Sequence, residues 1–179
     1  MQLDHPNTKL MAPTRAAGEA TLRAFAPRMG KGYTNGRNHD RGAGKHRDVS
    51  MLSPYLRRRL VLEQDAVATA VLEHGAEGAE KFIQEVIWRG YFKGWMERRP
   101  VVWDQYREGL MRDLMALDRD RGLRRRVESA EAYQTGLDYF DNWAEELVET
   151  GYLHNHARMW WASFWIHVER LPWELGANF

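Results

Sequence analysis

Three short stretches hold residues whose types and spacing could do chemistry. In FIQEVIWRGYFKGW (82–95), Glu85 and Arg89 stand four apart with Trp88 between them, beside an apolar stripe. In GYLHNHARMWWASFWIH (151–167), Asn155 and Arg158 interrupt an apolar run that holds three Trp. A buried amide or guanidinium costs several kcal/mol unless something pairs with it. Such positions therefore imply either internal partners or a polar ligand. Asn155 and Arg158 share one helical face, and the small Ala162 extends it, leaving room for a flat molecule to approach. Glu85 and Arg89 have a plainer reading as an i,i+4 surface pair. Asn155 and Arg158 have one as satisfied core polars.

The third stretch is VSMLSP (49–54). Ser50 and Ser53 bracket Met51-Leu52 just before a helix start, where hydroxyls and free N–H groups suit a phosphate or pyrophosphate. Two capping serines without a ligand would look the same. Arg37, Arg41, Lys45 and Arg47 upstream add positive charge that suits an anionic partner. The GAG at 42–44 is no dinucleotide fingerprint, because no strand precedes it. His154 and His156 are two apart and diverge on a helix, so no metal site is expected.

The elements that must position these residues read as helices throughout. A helix is expected over 15–26, stopped by Pro27, after a loose lead-in over 1–14. Residues 31–50, rich in Gly, Lys and Arg, read as a binding loop or a flexible one. Ser53-Pro54 places Pro at a first helical position after an N-cap, with the helix running on through Val61. Further helices are expected over 63–75, ended by Gly75, over 79–99, stopped by Pro100, and over 102–117. Residues 117–129 read as an exposed charged connection, and 136–149 and 153–169 as two more helices. No convincing alternating strand appears, so the fold class is all-α.

Composition sets outer limits. The chain has 179 residues, 44% hydrophobic and 28% charged, with a formal net charge of +1 and eight Trp. It has no Cys, which removes disulfides and thiolate chemistry. The lack of a long uncharged apolar run and of a signal-peptide pattern points to a cytoplasmic protein with no membrane partner.

Four blocks, VSMLSPYLR (49–57), FIQEVIWRGYFKGW (82–95), TGLDYFDNWAEELVETGYLHNHARMWWASFWI (135–166) and RLPWELGANF (170–179), occur in the order and approximate spacing of a known family. From about Tyr33 onward the chain resembles the flavin-binding helical domain of the photolyase/cryptochrome family. The resemblance implies an all-helical FAD-binding domain over 15–179, without the family's N-terminal antenna domain and incomplete at its C-terminal end. It implies FAD as cofactor and light-driven repair of cyclobutane pyrimidine dimers in DNA. A non-catalytic flavin- or nucleic-acid-binding module, or a gene fragment, is the alternative.

By the same resemblance, Tyr33 and Val49, Ser50, Met51, Leu52 and Ser53 fall where FAD phosphates and ribose are held. Val49 stands where the family has Thr, and Met51 where it has Arg. Arg37 falls at a DNA contact, Glu85 on the carboxylate that bonds the dimer, Trp88 on the aromatic beside it, and Arg89 at the cofactor and DNA edge. Asn155 and Arg158 fall on the pair facing the isoalloxazine ring, Asn155 and His156 toward DNA, and Trp173 on an electron-relay tryptophan. Asn155 and Met159 resemble the cyclobutane-dimer or DASH-like branches, not (6-4) enzymes.

Overall fold

Proline, glycine and capping residues cut the chain into ten α-helices, and no strand occurs among the described residues. The computed structural model describes residues 11–179, which divide into two compact units, residues 11–98 and residues 99–179. Most of the lead-in expected over 1–14 lies outside the described residues.

The first unit begins with α1 (Arg15–Phe25), where the Thr14 side chain accepts from the Ala17 N–H at 3.2 Å. Pro27 turns the chain into one 3-10 turn, Ala26–Arg28. There follow α2 (Lys31–Gly36), α3 (Ser53–Arg57), α4 (Glu63–Gly78) and α5 (Glu80–Glu97). Gly75 does not end the helix as expected: it sits inside α4 at φ 70°, a kink only glycine adopts without strain, and the helix runs on to Gly78. Phe25, Met29, Tyr33, Leu52, Tyr55, Leu56, Val61, Phe82 and Val86 belong to its core. Tyr33 and Phe82 meet edge to face at 5.3 Å between ring centres. Each such side chain contributes about 1.5–3 kcal/mol by leaving water.

Three other expectations for this unit are corrected. Residues 31–36 are helical, because Tyr33 is drawn onto Phe25 and Phe82. The helix after Pro54 ends at Arg57, and Arg59 takes φ 59°, so Val61 reaches the core from a turn. Ser53 is the first residue of α3, not its cap; Leu52 precedes it, and no side chain caps the helix.

The second unit holds α6 (Pro100–Arg119), α7 (Arg121–Glu131), α8 (Asp138–Thr150), α9 (Asn155–Ser163) and α10 (Trp173–Asn178). A π-helical stretch, Phe164–Val168, continues α9. The charged connection expected over 117–129 is corrected: most of it is α7, capped by Asp120, whose carboxylate accepts from Gly122 and Leu123 N–H at 2.8 and 2.9 Å. Val127 and Ala130 bury its inner face. Gly151, at φ 67°, ends α8. The core is a stack of rings. Phe140 lies parallel to Trp161 at 5.4 Å, and Trp161 is 5.0 Å from Trp165 and 5.5 Å from Phe179. The Trp165 indole N–H donates to the Pro172 carbonyl at 2.7 Å. A Cβ on Gly176 would lie 2.9 Å from that indole, which is why glycine stands there. No helix among the described residues is long and apolar enough to cross a membrane.

Candidate functional site

In the first unit α5 presents Glu85, Trp88 and Arg89. Of the apolar stripe read along this helix, only Phe82 and Val86 are buried. Ile87, Trp88, Tyr91 and Phe92 are exposed, and the Trp88 ring lies 5.4 and 5.8 Å from those of Tyr91 and Phe92. Glu85 does not make the helical pair with Arg89. Its carboxylate accepts from Arg37 Nη1 on the chain just after α2, while Arg89 Nη2 donates to the Ser53 carbonyl at 3.1 Å. The Arg37 guanidinium lies 6.0 Å from the Tyr33 ring centre. Burial pushes the Tyr33 phenol above its ordinary range, Glu85 adds to this, and Arg37 offsets part of it. One helix thus reaches both the Tyr33–Arg37 segment and the loop before α3.

That loop is rich in unspent donors. Ser50 Oγ accepts from the Leu52 N–H at 3.3 Å, which leaves its own hydrogen available. The Ser53 hydroxyl and the N–H groups of Met51 and Ser53 find no acceptor among the described residues. Met51 is held at φ 52°, a conformation unusual for a side chain of its size. Val49 packs against the core and Leu52 lies within it. Hydroxyl and amide donors with no acceptor are what a phosphate group needs, so this donor set fits the diphosphate of a nucleotide cofactor.

The basic loop before it is partly neutralised. Arg41 bonds Asp48 at 2.8 Å, and Arg28 approaches the same carboxylate at 3.8 Å. Arg41 holds the Asp48 carboxyl below its usual range. Gly36 is needed here, because a Cβ would come 2.7 Å from the Asp48 Cβ.

The second unit answers the question raised by Asn155 and Arg158. Both are exposed, as is Ala162. The reading of the pair as satisfied core polars is therefore set aside: α9 turns Ala157, Trp161 and the following Trp165 inward and its polar face outward. Arg158 Nη2 donates to the Leu153 carbonyl at 2.9 Å. The buried polar residue is His154, 1% exposed, whose Nδ1 accepts from the His156 N–H at 3.2 Å and caps α9. The Asn155 amide nitrogen lies 3.8 Å from the Met159 sulfur. A planar ligand laid on this face would meet an amide and a guanidinium together.

Trp173, half exposed at the start of α10, lies 5.6 Å from Tyr106, which is 5.4 Å from Trp103. Sequence reasoning missed this aromatic row, since only the packing of α10 on α6 brings position 173 to position 106. It also missed Asp113 and Glu174, two buried carboxyl groups that Arg112 approaches at 3.7 and 3.6 Å. Burial, then Glu174, pushes the Asp113 carboxyl above its ordinary range, against the pull of Arg112.

An all-helical architecture, a loop with unpaired donors and an amide–guanidinium helix face fit a helical protein that binds a nucleotide cofactor. Comparison with known proteins makes this specific. The family described as the FAD binding domain of DNA photolyase matches residues 82–179, more than half of the chain. The chain belongs to this family, and its cofactor is FAD. It is 32% identical over 177 residues to a deoxyribodipyrimidine photo-lyase of Thermus thermophilus, covering 96% of this chain and 39% of that protein. It is 31% identical over 141 residues to a deoxyribodipyrimidine photo-lyase of Streptomyces griseus, covering 78% of this chain and 29% of that protein. The chain thus spans about two-fifths of the Thermus relative and less of the Streptomyces one. No solved structure matches it.

Proposed function

We propose that this protein takes part in light-driven repair of cyclobutane pyrimidine dimers in DNA, with FAD as the working cofactor and the cytoplasm as its location. The observation that carries the reading is the double reach of α5. The helix that displays Glu85 and Trp88 also holds the donor-rich loop through Arg89 and Ser53. A residue meant for a lesion and a loop meant for a cofactor diphosphate are thereby set by one rigid element.

In this reading Tyr33 and Val49–Ser53 hold the diphosphate and ribose, and Arg158 and Asn155 lie against the flavin ring. When bound, reduced and illuminated, FAD supplies one electron that opens the two cyclobutane bonds and then returns. The chain's own residues position and stabilise. Trp88 offers a ring face to the extruded pyrimidines, and the exposed Tyr91 and Phe92 keep water from its edge. Glu85 hydrogen-bonds the lesion once Arg37 exchanges its carboxylate for a DNA phosphate. Asn155 and His156 meet the nucleotide edge, and Arg89 keeps the loop in place. Trp173 with Tyr106 and Trp103 provides closely spaced rings for reducing the cofactor from the surface.

The test has two readouts. Purified protein loaded with FAD should show a bound-flavin visible spectrum, and after chemical reduction and illumination it should reverse dimers in a short oligonucleotide. Ser50→Asp, which sets a negative charge against the diphosphate, should weaken FAD binding at least tenfold, about 1.4 kcal/mol. Glu85→Ala should lower repair yield with FAD still bound. A chain that binds FAD and reverses no dimer would overturn the repair reading and leave a non-catalytic flavin module.

A further inference from the structure

We propose that the arginines of α7 form a second, sequence-independent contact for the phosphate backbone of duplex DNA, separate from the residues assigned to the lesion. The proposal takes its DNA partner from the reading above and adds a surface to it.

Arg121, Arg124, Arg125 and Arg126 fall within six residues at the start of this helix, and all four are exposed. Asp118, Arg121, Arg124 and Arg125 line a shallow depression. The single carboxylate there is already engaged: Arg124 Nη2 bonds Asp118 at 2.6 Å, and its Nε donates to the Leu117 carbonyl at 3.0 Å. Arg124 is thus fixed in place, whereas Arg121 and Arg125 find no acceptor among the described residues. Their fork-shaped donor sets point to acceptors that come from outside.

Stability accounts for only part of this charge, since Arg124 pairs with Asp118 and Arg126 favours the Asp120 carboxylate, whereas Arg121 and Arg125 have no such partner among the described residues. Its first turn holds no acidic residue, and cations near a helix start oppose the macrodipole. Asp120 and the buried Val127 and Ala130 hold the helix in spite of them. Leaving Arg121 and Arg125 exposed and without an acceptor is understandable if an anion covers them in use.

The geometry favours an extended polyanion over a single small one. The arginines ring an open depression and do not converge on an enclosed point. Arg121 and Arg125 stand about 6 Å apart along the helix axis. A DNA strand presents a phosphate about every 3.4 Å of its axis, so both side chains can engage one strand together.

The experiment uses the full chain without added FAD and an undamaged, fluorescein-labelled duplex, with anisotropy read from about 50 to 200 mM salt, the range over which phosphate contacts dominate the change in affinity. Each phosphate contact contributes about 0.9 to the slope of log affinity against log salt. Arg121→Gln/Arg125→Gln should therefore reduce that slope by about 2 and lower affinity at about 100 mM salt at least tenfold. Arg121→Lys/Arg125→Lys, which keeps the charge, should retain the slope. Arg15→Gln/Arg23→Gln, on exposed α1 arginines, should leave it unchanged. Circular dichroism checks that the glutamine variant keeps its helices. An unchanged slope in the α7 variant overturns the proposal, as does competition by polyglutamate equal to that by DNA at the same charge concentration. The ratio of affinities for dimer-containing and undamaged duplex reports the lesion reading separately. A ratio of one with a reduced slope would remove the lesion site and keep the α7 contact.

Discussion

In residues 11–98 the charged candidate side chains are held by partners far off in sequence; in residues 99–179 Asn155 and Arg158 bond only within their own segment and face solvent. In the first unit Glu85 is tied to Arg37 and Arg89 to a carbonyl, and the loop cations lean on Asp48. In the second, α9 shows Asn155 and Arg158 to solvent while the rings behind them stack. The difference teaches how each unit becomes specific. Ion pairs place a polar group by direction, so the first unit is sensitive to charge. A ring stack places a whole helix by shape, so the second is sensitive to volume.

The largest test of this contrast is Trp165→Ala. Trp165 is fully buried in the second unit, so its removal should cost about 3–5 kcal/mol. Hydrogen exchange read segment by segment should show protection lost across 99–179 and kept in 11–98. Loss in both units would break the contrast, because one cooperative transition would then govern the whole chain.

Acid should reach the two units over different pH ranges. Arg41 holds Asp48 below its usual range, and for Glu63 its own backbone N–H and Lys93 outweigh a burial that acts upward. A folded pKa below the unfolded value stabilises above the unfolded pKa, and that contribution is lost as pH falls through the folded one. Asp113 and Glu131 are both raised, each chiefly by burial. Their contribution is present below the unfolded pKa and is lost as pH rises through the folded value. From about pH 7 toward pH 4, denaturant resistance should rise in 99–179 as Asp113 and Glu131 take up protons. The loss in 11–98 should begin only at about pH 5 and continue below about pH 4, where Asp120 adds a smaller loss to 99–179. Asp113→Asn should flatten the response of the second unit. Parallel loss in both units would remove the electrostatic part of the comparison.

A smaller effect tests local order in the first unit. Thr14→Ala should cost about 1 kcal/mol by removing the cap of α1, seen as a lower urea midpoint with unchanged slope. Smallest is Arg37→Gln. The Arg37–Glu85 pair is partly exposed, so its loss should change stability by at most about 1 kcal/mol. A loss of several kcal/mol would show that the pair supports the fold itself.

The sequence alone determined the helical class, because Pro27, Pro54 and Pro100 and the 3.6-residue periodicity act within a few residues of chain. It also placed FAD as the cofactor, through blocks whose residue order the family shares. It did not show that α7 is a helix, since the charged run over 118–126 hides an inner face made by Leu123, Val127 and Ala130 and the residues that pack on them. It placed Asn155 and Arg158 on one face but left open which way that face turns. Periodicity gives the relative positions of side chains around a helix, whereas the direction of the core depends on what packs against it. Only tertiary structure paired Glu85 with Arg37 across 48 positions and joined Arg89 to Ser53 across 36. Local propensity carries no information about such distances; the packing of Tyr33 and Phe82 in one core is what brings those segments together.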